Sequence, residues 1–501
     1  MASRSTECGV SKLSSDLLLQ TLAHLPVPDL LRCRELTRDF RAFIDESCSL
    51  QYGVELVLAG SEDDGSSGLT ASEKRRQLRR YKALRDTLHP MLLSRNKVQF
   101  RGDEKSWDMQ TGSLVLMRQG NLEFTQFASA TRNTPKRVWE LWLDWQDFIA
   151  LDPRQDLLIT FQLQQGRFRV RILSMSTGAR HPSAHNSEFY IPAPPGADLD
   201  HLHLEYSVFE TKVTVLCTYT DHELGRYYEV LCVANWRTGY VLLSRHNQHI
   251  TAFCVLDANR IMIATTPPDI RAIRLSILDF TSHYEEPTHL LLPEFSDRVS
   301  WYSAAIGSNC QRSATSPGRL TLPFHASQTD RIFVIEFSIN FEDENLQRTL
   351  ILPSWCLERA LVQSTSIPYL HTDVPWEEWG PRNTRLMTER PSTSEGQTAD
   401  SSATGMRYVT IENGFAVVND FNRFALRHTS DSELMENPLV KIVSGSSIAD
   451  LPFFKRPITT SVPYRRIVTS LPVSATQRVG VAEDYLVVIE DDSWSLEMLC
   501  L

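Results

Sequence analysis

Two histidines stand one residue apart in His201-Leu202-His203-Leu204, a spacing that puts both imidazoles on one face of a strand and offers two nitrogen ligands. A metal site needs at least a third ligand, and none is placed nearby, so the pair reads as ordinary surface histidines. The clusters Glu342-Asp343-Glu344 and Glu490-Asp491-Asp492 each follow a strand-like run. Paired carboxylates do acid–base work only at a defined spatial separation, and clusters in this position read as solvated turns. No phosphate loop, H-E-x-x-H or G-x-S-x-G string occurs. The nine cysteines (Cys8, Cys33, Cys48, Cys217, Cys232, Cys254, Cys310, Cys356 and Cys500) include no C-x-x-C pair, which excludes a zinc ribbon and a thioredoxin-type motif. No catalytic residue, metal ligand or cofactor is therefore assigned.

What remains is chemistry of contact. Trp139-Glu140-Leu141-Trp142-Leu143-Asp144-Trp145 is the most aromatic stretch. As a strand it puts Trp139, Leu141, Leu143 and Trp145 on one face and Trp142 on the other, a pattern of core packing more than of a binding hot spot. Cys217 and Cys232 sit inside apolar runs and read as small buried hydrophobes. The net charge is −10, unevenly spread: residues 1–95 carry 14 Lys and Arg against 13 Asp and Glu, which leaves −11 on the rest. An acidic body lacks the basic surface that displaces counterions from a nucleic acid.

The elements that hold these residues change character along the chain. Leu17, Leu18, Leu22 and Leu25 form one helical face, with Ser14 and Ser15 available as caps and Asp16 at the positive helix end. Pro26 ends that helix and Pro28 suits the first turn of the next, which carries Leu30, Leu31, Cys33 and Leu36. A third short segment, residues 39–44, offers Phe40, Phe43 and Ile44. Three helices in about 35 residues cannot hide these side chains among themselves, so an exposed leucine surface predicts a partner.

The string Leu13-Ser14-Ser15-Asp16-Leu17-Leu18, through Leu22 and Leu25-Pro26 to Asp29-Leu30-Leu31-Arg32-Cys33-Arg34 and Arg38-Asp39-Phe40-Arg41-Ala42-Phe43-Ile44, resembles an F-box. It follows that family's pattern without a gap, with Ser14 for the usual proline, Thr21 for isoleucine, Leu36-Thr37 for Val-Cys and Phe40 for tryptophan. The resemblance implies docking onto a Skp-type adaptor, and through it onto a cullin-based ubiquitin ligase. It assigns Leu13, Leu17, Leu18, Leu22, Leu25, Pro26, Leu30, Leu31, Leu36 and Phe40 to the adaptor-facing or packing surface.

Residues 46–95 read as a linker followed by a basic helix. Ser61 to Thr70 is polar and glycine-containing, as a flexible interruption would be. Residues 73–88 are good helix formers with Leu78, Tyr81, Leu84 and Leu88 in one stripe, and Pro90 should end them. The basic residues there suit targeting or nucleic-acid contact, but no second basic patch supports that role, and the segment reads as a helix with one packed edge and a solvated basic face.

Beyond residue 95 the period shortens to that of strands. Phe168-Arg169-Val170-Arg171-Ile172 alternates, and short apolar runs recur near Val115, Leu157, Val213, Ile261, Leu320, Phe415 and Tyr485 at uneven steps of about 42 to 95 residues. Ser174 to Gly178, Asn235 to Gly239 and Leu278 to Ser282 each follow an apolar strand with polar turn residues, and Asn235 to Gly239 resembles the turn of WD-type repeats. The expected fold is α+β and multidomain: a helical module at 12–45, then an all-β domain at 96–501, a degenerate β-propeller of six to eight blades. A pair of β-sandwiches is the competing arrangement. Residues 390–405, nearly devoid of apolar side chains, are expected to be a disordered insertion.

The expectation is a non-enzymatic substrate-recognition subunit of a ubiquitin ligase, its β domain binding a protein substrate that the sequence does not identify. The alternatives are a propeller scaffold without a ubiquitin role and a hydrolase of the propeller class. No secretion signal and no apolar stretch of about 18 residues is present, which points to the cytoplasm or nucleus and away from membranes.

Overall fold

A computed structural model describes residues 13–65, 68–87, 94–99, 106–110, 113–118, 120–128, 135–143, 147–221, 226–246, 248–282, 287–308, 322–327, 329–365, 373–387, 403–428, 439–474, 477–481, 485–490 and 495–500. Its N-terminal part is helical: α1 (Ser15–Ala23), α2 (Val27–Leu36), α3 (Arg38–Glu46), α4 (Cys48–Ala59) and α5 (Ala71–Thr87). Hydroxyl caps start three of the first four, and α2 follows Pro26 without a side-chain cap. Ser14 accepts from the Leu17 amide, Thr37 from Phe40 and Ser47 from Leu50, so α1, α3 and α4 each start on a side chain that satisfies an otherwise unpaired N–H. Gly60 ends α4 at φ +64°, a left-handed conformation that favours glycine.

The remainder is a ring of seven antiparallel blades. They span residues 106–142, 148–192, 202–246, 250–291, 299–387, 403–472 and 477–500. The first five have four strands, and the sixth adds a fifth strand, Val440–Val443. The seventh takes three strands from 477–500, and its fourth is Ser94–Gln99, paired antiparallel with Ser495–Cys500. The ring is thereby closed by joining the strand that follows α5 to the last strand of the chain. A seven-bladed ring falls within the expected range and leaves no place for two sandwiches.

The second strand of each blade lies between neighbouring blades, which accounts for apolar runs without alternation: Leu157, Leu158, Ile159 and Phe161 are all fully buried. The third strand of the second blade does alternate, with Phe168, Val170 and Ile172 buried between less buried arginines. Sequence repetition is weak because the repeated device is a backbone one. In five blades an amide where the third strand ends donates to a carbonyl in the connection between the first two strands. The pairs are Met175 to Asp156 (2.8 Å), Trp236 to Thr211 (2.9 Å), Phe280 to Asn259 (2.9 Å), Ser354 to Arg331 (2.8 Å) and Phe421 to Met406 (2.8 Å). An N–H is supplied by any residue except proline, so selection acts only on the side chain that fills the space beneath. Met175, Trp236, Phe280 and Phe421 are all buried there.

The long step before Phe415 is only partly an insertion of polar sequence. The fifth blade's last connection contains α6 (Ser354–Thr365) and α7 (Trp376–Asn383), and the sixth blade carries α8 (Arg423–His428). Residues 390–402 of the expected disordered stretch lie outside the described residues, whereas Ala403–Thr404 begins the sixth blade. Ser61 to Thr70 differs from its expected flexibility in one part: Ser61–Asp63 is a strand, paired with Phe324–Ala326.

Candidate functional site

The first three helices enclose a small core of Leu22, Leu30 and Ile44, completed by Leu50 and Val54 from α4. Leu22 and Leu30 are each only 3% exposed. These two of the ten assigned residues pack inside the module and leave almost no surface open in the free chain. Leu18, Leu25, Leu31 and Phe40 pack half-buried against the same core. Leu13, Leu17 and Leu36 are open to solvent, at 41%, 52% and 69%, and Pro26 is exposed between α1 and α2. An apolar side chain left in water at such exposure offers its burial energy to a partner.

Three of the substitutions that set this module apart, Ser14, Thr21 and Thr37, have a local use. Ser14 caps α1, and Thr37 caps α3. The Thr21 hydroxyl donates to the Leu17 carbonyl at 2.8 Å, so its polarity is absorbed within α1. Arg34 grips Asp45 through two hydrogen bonds of 2.7 and 2.9 Å, tying α2 to α3. That contact holds the Asp45 carboxyl below its usual range.

Helix α4 fastens this module to the ring. Leu50 and Val54 face the module, whereas Tyr52, Leu56 and Ala59 face a second core built with Leu78 and Tyr81 of α5 and with Val409, Ala416 and Val418 of the sixth blade. The Tyr52 hydroxyl donates to Asp63 at 3.1 Å and lies near the Pro323 carbonyl at 3.3 Å; burial pushes its pKa up. Asn422, beside the start of α8, donates to the Val57 and Leu58 carbonyls at 3.1 and 3.2 Å, satisfying the end of α4 from the ring. Glu55 receives Arg75 and Arg79 at 2.8 and 2.6 Å, and Lys74 reaches Asp63 at 3.0 Å. Burial raises the Glu55 pKa, but its hydrogen bonds from Arg79 and Arg75 outweigh this and hold it below its ordinary value.

The sequence pattern ends the module at residue 45 and points to no role for Tyr52, Glu55, Leu56 or Asn422. The signal in α4 is present but unusual, because apolar residues occur on both faces of the helix. On α5, Leu78 and Tyr81 are buried as expected, and Lys74, Arg75 and Arg79 form ion pairs within the fold. The helix thus has a packed edge, as the simpler reading supposed. Side chains of Leu84 and Leu88 lie outside the described residues.

The other candidates resolve into structural parts. His201 and His203 are exposed, and the His201 ring contacts Asp198 at 3.0 Å. Among the described residues no group of three potential ligands could hold a metal. Glu342 and Asp343 form the exposed turn between Ile332–Phe341 and Glu344–Pro353 with φ values of 50° and 68°, and Glu490 ends a strand whose following acids lie outside the described residues. Trp139 stacks on Phe124 with ring centres 5.1 Å apart and donates to the Met175 carbonyl, whereas Trp142, on the opposite face of the strand, is 74% exposed. Trp145 lies outside the described residues. Burial pushes the Cys217, Cys232 and Cys356 thiols up to about 12, as suits inert core residues. No helix among the described residues is long and apolar enough to cross a membrane.

Residues 10–52 match the F-box domain family. Two solved structures are similar to the chain at low scores. One is KlHsv2 with loop 6CD replaced by a Gly-Ser linker, at 11% identity, covering 51% of this chain and 67% of that one, with a TM-score of 0.27. The other is the β-propeller domain of the Trilobed protease from Pyrococcus furiosus, at 7% identity, covering 63% of this chain and 88% of that one, with a TM-score of 0.26. No curated protein matches the sequence.

Proposed function

Because an F-box domain is joined here to a seven-bladed propeller, we propose that the chain is the substrate-recognition subunit of a Skp–cullin–F-box ubiquitin ligase. In this reading the exposed leucines of the F-box dock onto a Skp-type adaptor, and the adaptor links the chain to a cullin. The ring holds a protein substrate and performs no bond chemistry itself. The observation that carries the reading is the pairing of an F-box with unsatisfied apolar surface at Leu13, Leu17 and Leu36 and a mount in which α4 belongs to both cores. A receptor must hold its substrate at a fixed distance from the transfer machinery, and a helix shared by two cores does this where a flexible linker would not. The cytoplasm or nucleus is the corresponding location.

The test is a pull-down of the full chain with a Skp-type adaptor. The wild-type protein is expected to bind, and Leu17→Asp with Leu36→Asp is expected to lose binding while keeping the wild-type melting temperature. No binding by the folded wild type would remove the adaptor role.

A further inference from the structure

The fifth blade is incomplete at its outer edge. Its third strand, Glu344–Pro353, runs for ten residues, but its fourth, Arg385–Met387, pairs only with Thr349, Leu350 and Ile351. Among the described residues no strand pairs with the outer edge of residues 344–348. A segment of the sixth blade reaches across to this edge. Residues 444–463 leave that blade between Val440–Val443 and Tyr464–Pro472 and fold into a hairpin of Ser447–Ala449 with Ile458–Thr460.

This hairpin is pinned at two levels. At its foot Arg385 donates to the Gly445 carbonyl at 2.8 Å, the Leu386 amide to Thr460 Oγ1 at 3.1 Å and the Val462 amide to the Thr384 carbonyl at 3.1 Å. At its tip Phe453 and Phe454 are buried among Phe295, Phe337 and Phe341, and the Arg348 guanidinium lies 5.4 Å from the Phe453 ring centre. The Ser296 amide donates to the Phe453 carbonyl and the Lys455 amide to the Glu294 carbonyl, both at 2.9 Å. Glu294 and Ser296 lie between the last strand of the fourth blade and the first strand of the fifth. A piece of the sixth blade therefore closes the seam between its two predecessors.

Two features let this closure open by itself. Val443 pairs with Tyr464 and shuts the excursion at its root, so lifting the hairpin breaks no strand pairing of the sixth blade. Its own strands are three residues each, and Ile448 between foot and tip is 72% exposed. The ion pairs at the tip, Lys455 with Glu294 at 2.6 Å and Arg456 with Glu377 at 3.3 Å, lie in solvent, where such pairs contribute little. The tip thus rests mainly on two phenylalanines, and an element held by few buried side chains opens below the free energy of global unfolding. We propose that residues 444–463 are a strap that opens and closes over the seam between the fourth and fifth blades as one unit, while the ring stays closed. Closed, it fills the aromatic slot of Phe295, Phe337 and Phe341; open, it bares that slot.

The experiment is hydrogen exchange of the full chain, read by mass spectrometry at increasing urea below the unfolding transition. The Ser296 and Lys455 amides report on the tip, and Ile332–Phe341 reports on the interior of the fifth blade. Tip peptides are expected to exchange about tenfold or more faster than that interior, at a rate that urea changes little. Phe453→Ala should speed tip exchange by about a further tenfold or more and leave Lys212–Asp221 of the third blade at its wild-type rate. Lys455→Glu alters only an exposed side chain and should speed the tip about two- to fivefold, with Glu294→Lys added to it restoring the wild-type rate. That pair keeps the test sound if the phenylalanine variant misfolds. Tip exchange with the rate and urea dependence of Ile332–Phe341, or a tip that neither Phe453→Ala nor Lys455→Glu changes, would overturn the assignment. None of these positions is in the F-box, so adaptor pull-down reports separately on the ligase reading.

Discussion

Val54 and Leu56 are two residues apart on one helix and belong to different hydrophobic cores, Val54 to the F-box and Leu56 to the sixth blade and α5. At 3.6 residues per turn such neighbours point to nearly opposite sides. The two domains are therefore joined by shared side-chain packing as well as by the chain.

The first prediction follows from that geometry. The F-box and the ring should unfold in one cooperative transition, and Leu56→Ala, by removing buried contacts, should cost about 2–5 kcal/mol. Urea unfolding followed by circular dichroism and by tryptophan fluorescence checks this. Two separated transitions in the wild type would show that the shared helix does not couple the domains.

Exposure separates docking residues from packing residues in the F-box. Leu17→Asp and Leu36→Asp alter surface only and should leave stability within about 0.5 kcal/mol while reducing adaptor binding at least tenfold. Leu22→Asp and Leu30→Asp would bury an unpaired carboxylate and should melt the helices. A pull-down read beside the thermal midpoint distinguishes the two classes, and loss of binding without loss of fold in Leu22→Asp would contradict the division.

Gly380 in α7 has no room for a side chain. A β-carbon there would lie 2.2 Å from the Trp376 ring, which is itself packed edge-on against Trp379. Gly380→Ala should therefore force the Trp376 ring out of place at a cost of about 1–3 kcal/mol despite alanine's better helix propensity. A red shift of tryptophan emission with a lowered melting temperature is the expected signature; a stabilised variant would show that α7 adjusts freely.

Glu55 makes the mount sensitive to acid. Its folded pKa lies below its ordinary value of 4.5, so its contribution is complete above that value and is lost as the pH falls through the lowered one. Glu55→Gln should be less stable than wild type at neutral pH, and the two stability curves should converge below about pH 4. Parallel curves across that range would mean that the pairs with Arg75 and Arg79 contribute nothing measurable.

The sequence was most readable where side-chain periodicity and backbone punctuation agree. Leu17, Leu22, Pro26, Pro28 and Leu30 are enough to place α1 and α2, and Phe168, Val170 and Ile172 reveal a strand with one face more deeply buried. Blade number was less readable, because the repeated contact is an N–H donating to a carbonyl, which leaves Met175, Trp236, Phe280, Ser354 and Phe421 free to differ. Helices α6 and α7 were missed inside a region read as β, although Cys356, Leu357 and Ala360 are spaced for a helix face. A cavity between the fourth and fifth blades, lined among others by Leu256 and Arg331, could not be read at all. Its walls come from three blades, and only the fold brings Phe209, Leu256 and Arg331 together.

The pairing of Ser94–Gln99 with Ser495–Cys500 also sets a timetable. During synthesis the early strand waits, its edge unpaired, while some four hundred residues emerge, and contacts of such separation are slow to form. A ribosome that stopped short of Gln477 would release an open ring with apolar blade edges exposed to aggregation and to quality control. Closure of the seventh blade thus waits until strands from both ends of the ring are present.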